Sequence, residues 1–291
     1  MQSILAAFNK TEKPKRPYVL ISSRALIPAP HYKKVSAGVR AVDMLAETLR
    51  ARGYDVLVED TNKFSPEIDD MLNRDAVIVY HEWVKTNYLK AKSFVQWVLG
   101  WWGQGGREWK PALDCRIRFY FCDLFNVDGV VPSSEHYKLT IDVTEHNLFN
   151  AENIGERTFN IMYAGKGDGT IMRAVTPEPR IEITNSWPET RVEVAYLLRR
   201  AKYLWIADAT SAVEDEARLC GCPVIFVPNH NYSKADLLKL QPLLYGMSTG
   251  YTAEEIQKAV DTLPMYAEYR KKYHETQEAE INQFIDITQG V

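Results

Sequence analysis

Asp208 and Glu216 are two carboxylates separated by seven residues, in a stretch from Pro188 to Pro228 that reads helix, strand, polar turn, helix, strand. Asp208 closes the first of these strands, and Ala209-Thr210-Ser211 forms the turn after it. In an open α/β sheet, ligands bind in the crevice beyond the carboxyl ends of the strands. A helix starting there offers unpaired backbone N–H groups, which favour an anion. These residues suit a phosphate-bearing ligand whose hydroxyls the two carboxylates can hold. A second feature is Gly165-Lys166-Gly167-Asp168-Gly169, which follows a strand pattern at Phe159 to Ala164. Its glycines can cradle a phosphate and Lys166 supplies a point charge. It is not a Walker loop, because no Gly-Lys-Ser/Thr opens the next helix. Arg173 follows within reach of it. His81 and Glu82, just past the strand at Asp75 to Tyr80, can serve as acid, base or sugar contact.

Other chemistries lack their patterns. Gly-x-Ser-x-Gly is absent, as is His-x-x-x-His, and Cys220-Gly221-Cys222 has no nearby His or Cys partners. The four cysteines are expected to be reduced thiols in a cytoplasmic protein. Net charge is −3 with a pI near 6.1, so no global basic field recruits nucleic acid or an anionic membrane. Lys10, Lys13, Lys15 and Arg16 are expected to form a solvated arm. Met1 to Phe8 is apolar but too short for a secretion signal. No apolar run approaches the length that spans a bilayer, and 46% hydrophobic with 25% charged residues is ordinary for a globular protein.

The positioning elements follow from periodicity. Pro17 to Ser22 reads as a buried strand. Gly38 opens a helix with Val39, Val42, Leu45, Ala46 and Leu49 on one face, ended by Arg52-Gly53. With the strand at Tyr54 to Val58 this makes a βαβ unit whose helix begins where the sheet would bind a ligand. Ser65 to Leu72 reads as a short helix. In Tyr88 to Trp102, residues Phe94, Trp97, Val98, Trp101 and Trp102 recur at helical spacing, which predicts a helix used in the core or between domains. A membrane or acceptor contact is the alternative. Strands are expected at Arg116 to Phe121 and Tyr137 to Val143, joined by a loop carrying Asp123, Asp128, Ser133, Ser134 and Glu135. The polar turn at Asn150 to Arg157 is the best boundary, giving units of residues 1–154 and 155–291. In the second, strands are expected at Arg180 to Thr184, Tyr203 to Ala207 and Val224 to Val227. Helices are expected at Glu189 to Arg200 and Ala212 to Leu219. Thr252-x-x-Glu255 is a capping box, and Met265 to about Phe284 is a long polar helix. Trp187 is expected in ordinary core packing, with contact to a nucleotide base as the alternative. Glu214 and Asp215 are expected to be solvated.

The combination resembles the GT-B-fold, nucleotide-sugar-dependent glycosyltransferases of the retaining type. Asp208, seven residues, Glu216-Ala217, then Cys220-Gly221-Cys222-Pro223-Val224 is similar to the family's donor-site signature. Val194-Ala195-x-Leu197-Leu198-Arg199-Arg200-Ala201 looks like its preceding helix. Gly38 with Leu45-Ala46-x-x-Leu49-x-x-Arg52-Gly53-Tyr54-Asp55-Val56 looks like its opening unit. The resemblance implies an α/β protein of two Rossmann-like domains facing across a cleft, acceptor side first, with the C-terminal helix returning to the first domain. Glu216 would then hold the ribose and Asp208 the donor sugar. The amides of Ser211 and Ala212 would face the diphosphate, Lys166 and Arg173 would neutralise it, and Gly38 would let backbone approach it. His81 and Glu82 complete the expected catalytic set with Asp208. The implied substrates are a nucleoside-diphosphate sugar, such as a UDP or GDP sugar, and an acceptor hydroxyl. The acceptor is a glycan, lipid-linked glycan, protein or modified DNA. No metal or other cofactor is expected, because cationic side chains and helix-end amides can carry the leaving-group charge. A nucleotide-sugar epimerase of the same fold and a non-catalytic nucleotide-sugar-binding module are the alternatives.

Overall fold

The computed structural model describes residues 14–23, 36–61, 63–100, 112–126, 134–240 and 243–291. Their strands form two parallel sheets. The first contains β1 (Tyr18–Ser22), β2 (Val56–Asp60), β3 (Val77–His81), β4 (Ser93–Val98), β5 (Ile117–Tyr120) and β6 (Glu135–Lys138), in the order β2-β1-β3-β4-β5-β6. The second contains β7 (Phe159–Tyr163), β8 (Arg180–Glu182), β9 (Ala201–Ile206), β10 (Val224–Phe226) and β11 (Met247–Ser248), in the order β11-β10-β9-β7-β8. Counted from its own first strand, each sheet runs second, first, third, fourth, fifth, and the first sheet adds a sixth. Strand order therefore reverses twice, once between β1 and β3 and once between β7 and β9. In parallel sheets of this kind, such reversals open the crevice that takes a ligand.

Strands covered on both faces need apolar residues on both. Tyr18, Leu20, Val77, Val79, Val95 and Trp97 face one core with α1 (Ala37–Ala51), while Val19, Ile21, Ile78 and Tyr80 face another with α2 (Glu67–Asn73). Ser36 Oγ caps α1 by accepting from Val39 N at 3.2 Å, and Gly53 follows its end at φ +79°. The second sheet is covered by α3 (Gly169–Val175), α4 (Arg191–Leu198), α5 (Val213–Leu219), α6 (Lys234–Leu240) and α7 (Ala253–Thr262). Capping boxes open both α4, at Thr190 and Glu193, and α7, at Thr252 and Glu255. The last helix, α8 (Met265–Gly290), crosses to the first sheet and buries Ile281 and Phe284 in its core. The Phe284 ring meets Phe119 edge-on at 4.9 Å, and Tyr18 and Thr288 share a buried hydrogen bond of 2.7 Å.

The Tyr88 to Trp102 segment is a correction. It holds strand β4 rather than a helix, and its last residues, Trp101 and Trp102, lie outside the described ones. Val95 and Trp97 enter one core while Phe94 packs against the other. A strand apolar on both faces satisfies helical and strand spacing alike, and burial decides between them. The strand expected at Tyr137 to Val143 is likewise shifted, to Glu135–Lys138. Asp128 and Ser133, like the lysines at 10 and 13, fall outside the described residues. Lys15 is exposed as expected, though it donates to Arg52 O at 2.8 Å, while Arg16 is half-buried and donates to Asp75 O at 2.9 Å. Trp187 is 47% exposed, so it is not core. Glu214 and Asp215 are also not solvated, since both pair with Arg218, and Asp215 lies 3.6 Å from Arg270 of α8. The four cysteines are unpaired, and no helix among the described residues is long and apolar enough to cross a membrane.

Candidate functional site

The carboxyl ends of strands from both sheets open onto one cavity of about 430 Å³. Ser23, His81, Glu82, Leu99, Gly100 and Phe121 reach it from the ends of β1, β3, β4 and β5. From the other side come Tyr163 at the end of β7, Lys166, Asn185, Asp208, Ser211 and Ala212. The first turn of α1, with Ser36, Ala37 and Gly38, completes the wall. Both reversal points thus face the same space. Its volume falls within the range of small-molecule sites.

Asp208 is 2% exposed and ties two loops together. Its Oδ2 accepts from Lys166 N at 3.1 Å, and its Oδ1 accepts from Thr210 N at 2.9 Å and Thr210 Oγ1 at 2.8 Å. The glycine loop is pressed against β9 so closely that a Cβ at Gly167 would lie 2.1 Å from the Ala207 carbonyl oxygen. Backbone cannot step aside as a side chain can. Gly167→Ala should therefore lose about 1–3 kcal/mol of stability by overpacking. Gly38→Ala should lose nothing, because its Cβ would meet only ordinary contacts at 3.7 Å and Ala favours a helix. Urea unfolding of the two variants checks the contrast; equal effects would refute the steric argument.

His81 and Glu82 stand opposite this loop. Trp83 N donates to His81 Nδ1 at 3.2 Å, which places the imidazole proton on Nε2, 2.9 Å from Thr61 Oγ1. Thr61 in turn donates to Ser22 O at 3.0 Å. Burial pushes the His81 pKa down to about 4. The ring is thus neutral at pH 7, with both nitrogens bonded to protein. Glu82 Oε2 accepts from Leu99 N at 3.1 Å. Burial raises the Glu82 pKa, opposed by the Leu99 amide and the charge of Lys166. A carboxyl shifted in this direction holds its proton nearer to neutral pH than an ordinary one.

These shifts make a pH prediction. Below about 6.5 the unfolded chain protonates His81 while the folded chain does not, down to about 4. The unfolded state then binds more protons, so His81 lowers stability as pH falls through that window, by up to about 3 kcal/mol. Glu82 acts in the opposite sense, because its raised folded pKa stabilises the low-pH side. Comparing His81→Asn with the parent cancels the Glu82 part. The variant should lose less stability between pH 7 and pH 4.5 in urea titrations, and an equal loss in both proteins would refute this account.

Glu216 lies in a narrower recess beside the cavity, sharing Tyr163, Asn185, Ser211 and Ala212 with it. It is 1% exposed, and its Oε1 accepts from Arg40 Nη1 at 3.1 Å and Arg191 Nη2 at 3.0 Å. Arg40 projects from α1, so this pair joins elements covering different sheets. Burial lowers the Arg40 pKa and Glu216 opposes that shift. Arg191 also meets Glu145 Oε1 at 2.7 Å. Neither arginine was anticipated as part of the site. The available signal was a basic residue two positions after Gly38, on a helix face otherwise apolar. Arg173 stands apart from the cavity and the recess, bonded to Glu182 at 2.5 and 3.1 Å.

No protein-family model matches the chain, and no curated protein matches it significantly.

Proposed function

We propose that this protein is a glycosyltransferase that moves a sugar from a nucleoside-diphosphate sugar to an acceptor hydroxyl. The observation that carries this reading is the convergence on one cavity of Lys166, Ser211, Ala212 and Asp208 from the second sheet and Gly38, His81 and Glu82 from the first. The two-domain arrangement of the family is part of the proposal, with the acceptor side on residues 1–154 and the donor side on 155–291. Lys166, an exposed residue on the cavity wall, faces the departing diphosphate and supplies positive charge to it. Glu82, whose carboxyl holds its proton more tightly than usual, exchanges a proton with the acceptor or positions its hydroxyl. His81 stays neutral and holds the β3 end in place through Thr61 and Trp83. Asp208 fixes the loops, so its contact with the donor sugar needs one oxygen to accept a further hydrogen bond. A carboxylate oxygen has that capacity. Retention of configuration comes with the resemblance, and a cytoplasmic location with the reading of the four cysteines as reduced thiols.

Incubation with a panel of nucleotide sugars tests the reading. Slow release of free sugar and nucleoside diphosphate is the expected result. Conversion to an epimer still attached to nucleotide would replace it with an epimerase. Binding without turnover across acceptors would replace it with a binding module.

A further inference from the structure

Asp142, His146 and His274 form a cluster away from the cavity just described. Their ligand atoms all lie within 4.8 Å of one another. Asp142 follows β6, and His146 is four residues on, at a turn where Leu148 N and Phe149 N both donate to Glu145 O. His274 belongs to α8, four residues after Arg270. His146 Nε2 is 2.6 Å from Asp142 Oδ2 and His274 Nε2 is 3.4 Å from the same oxygen, with the two rings 5.4 Å apart at a steep angle. Two imidazole nitrogens thus converge on one carboxylate oxygen from separate elements.

From this geometry we infer a binding site for a divalent transition ion of the zinc class, held by His146 Nε2, His274 Nε2 and Asp142 Oδ2. Imidazole with carboxylate is a donor set that suits zinc, with bonds of about 2.0–2.2 Å, so ligand atoms sit roughly 3.3 Å apart around the ion. The His274 to Asp142 separation of 3.4 Å matches that spacing, and the 2.6 Å His146 contact needs to lengthen by less than about 1 Å to admit the ion. The carboxylate is already oriented by neighbours, as metal-ligating carboxylates usually are. Thr144 N donates to Asp142 Oδ1 at 2.9 Å, and Arg270 Nη2 lies 2.7 Å from Oδ2. Arg270 also faces Asp215 Oδ2 at 3.6 Å, so its charge keeps an anionic partner when Asp142 turns to the metal. Each imidazole coordinates in its neutral form, with its proton on Nδ1. Both rings are exposed, which leaves the remaining coordination positions to water. The ion would staple the segment after β6 to α8.

The test uses the untagged full chain, stripped with a chelator and titrated with zinc chloride by calorimetry. One equivalent per chain is expected, with a rise in Tm. The corresponding cobalt(II) form should show visible d–d bands. His146→Ala and His274→Ala should each weaken uptake at least about tenfold, whereas His230→Ala, far along the chain beside Asp168, should leave it unchanged. Both ligand histidines are at the surface, and circular dichroism verifies that each variant is folded. No stoichiometric uptake by the parent overturns the site. So does uptake undiminished in either His146→Ala or His274→Ala.

Discussion

Glu216→Gln should lower folding stability by about 3–5 kcal/mol, the range for stranding one side of a buried ion pair. The carboxylate is almost fully buried and serves both Arg40 and Arg191 through one oxygen. Glutamine leaves the Arg40 guanidinium with a neutral partner in a buried setting, while Arg191 retains Glu145. Adding Arg40→Met should therefore recover much of the loss, and urea unfolding of the single and double variants measures it. The double variant also isolates the ligand's share. If Glu216 holds a donor ribose, the recovered protein should still bind a nucleotide sugar about 10- to 150-fold more weakly, the equivalent of about 1.5–3 kcal/mol for a hydrogen bond to a charged group. Full affinity in a stable double variant would sink the ribose role.

The second large effect is on turnover. Lys166→Met keeps the aliphatic stem and removes the charge facing the proposed leaving group. Under the glycosyltransferase reading, kcat for donor cleavage should fall about 10²- to 10³-fold, the scale for losing one stabilising group at a developing negative charge. Because the interaction strengthens as the bond breaks, KM should move less than kcat. Arg173→Ala should change kcat little, since that guanidinium is engaged with Glu182 outside the cavity. Steady-state rates on one donor compare the two. Similar losses would mean that Lys166 has no special place at the leaving group.

Local signals in the sequence located many of the elements. Thr252 with Glu255 opens a helix where its spacing says it should. The apolar face of α1 was legible because only one side of that helix is buried. Strand β4 was not legible as a strand, because two-sided burial erases the alternation that identifies one. The same limit applies to charges. The acidic residues at 208 and 216 were visible, but the partners that join them to other elements, Lys166 for Asp208 and Arg191 and Arg40 for Glu216, are distant in sequence. Arg40 is separated from Glu216 by 176 residues, and nothing local at either end announces the pairing. Asp215 meets Arg270 only when the last helix arrives, whereas the Arg218 partner of Glu214 and Asp215 stands within one helical turn of both and was a local signal.

That last helix also bears on how the chain is made. Synthesis runs from the amino end, and early domains commonly fold while later ones are still emerging. Here the first sheet is finished long before residues 281–288, yet Ile281, Phe284 and Thr288 belong to its interior. Until they leave the ribosome, Tyr18 and Phe119 lack the ring that covers them. The amino-terminal sheet must therefore wait, with part of the face that α1 covers still exposed, for the second sheet to be translated first. Its native packing is a late event in the life of the nascent chain, although its residues are among the earliest made.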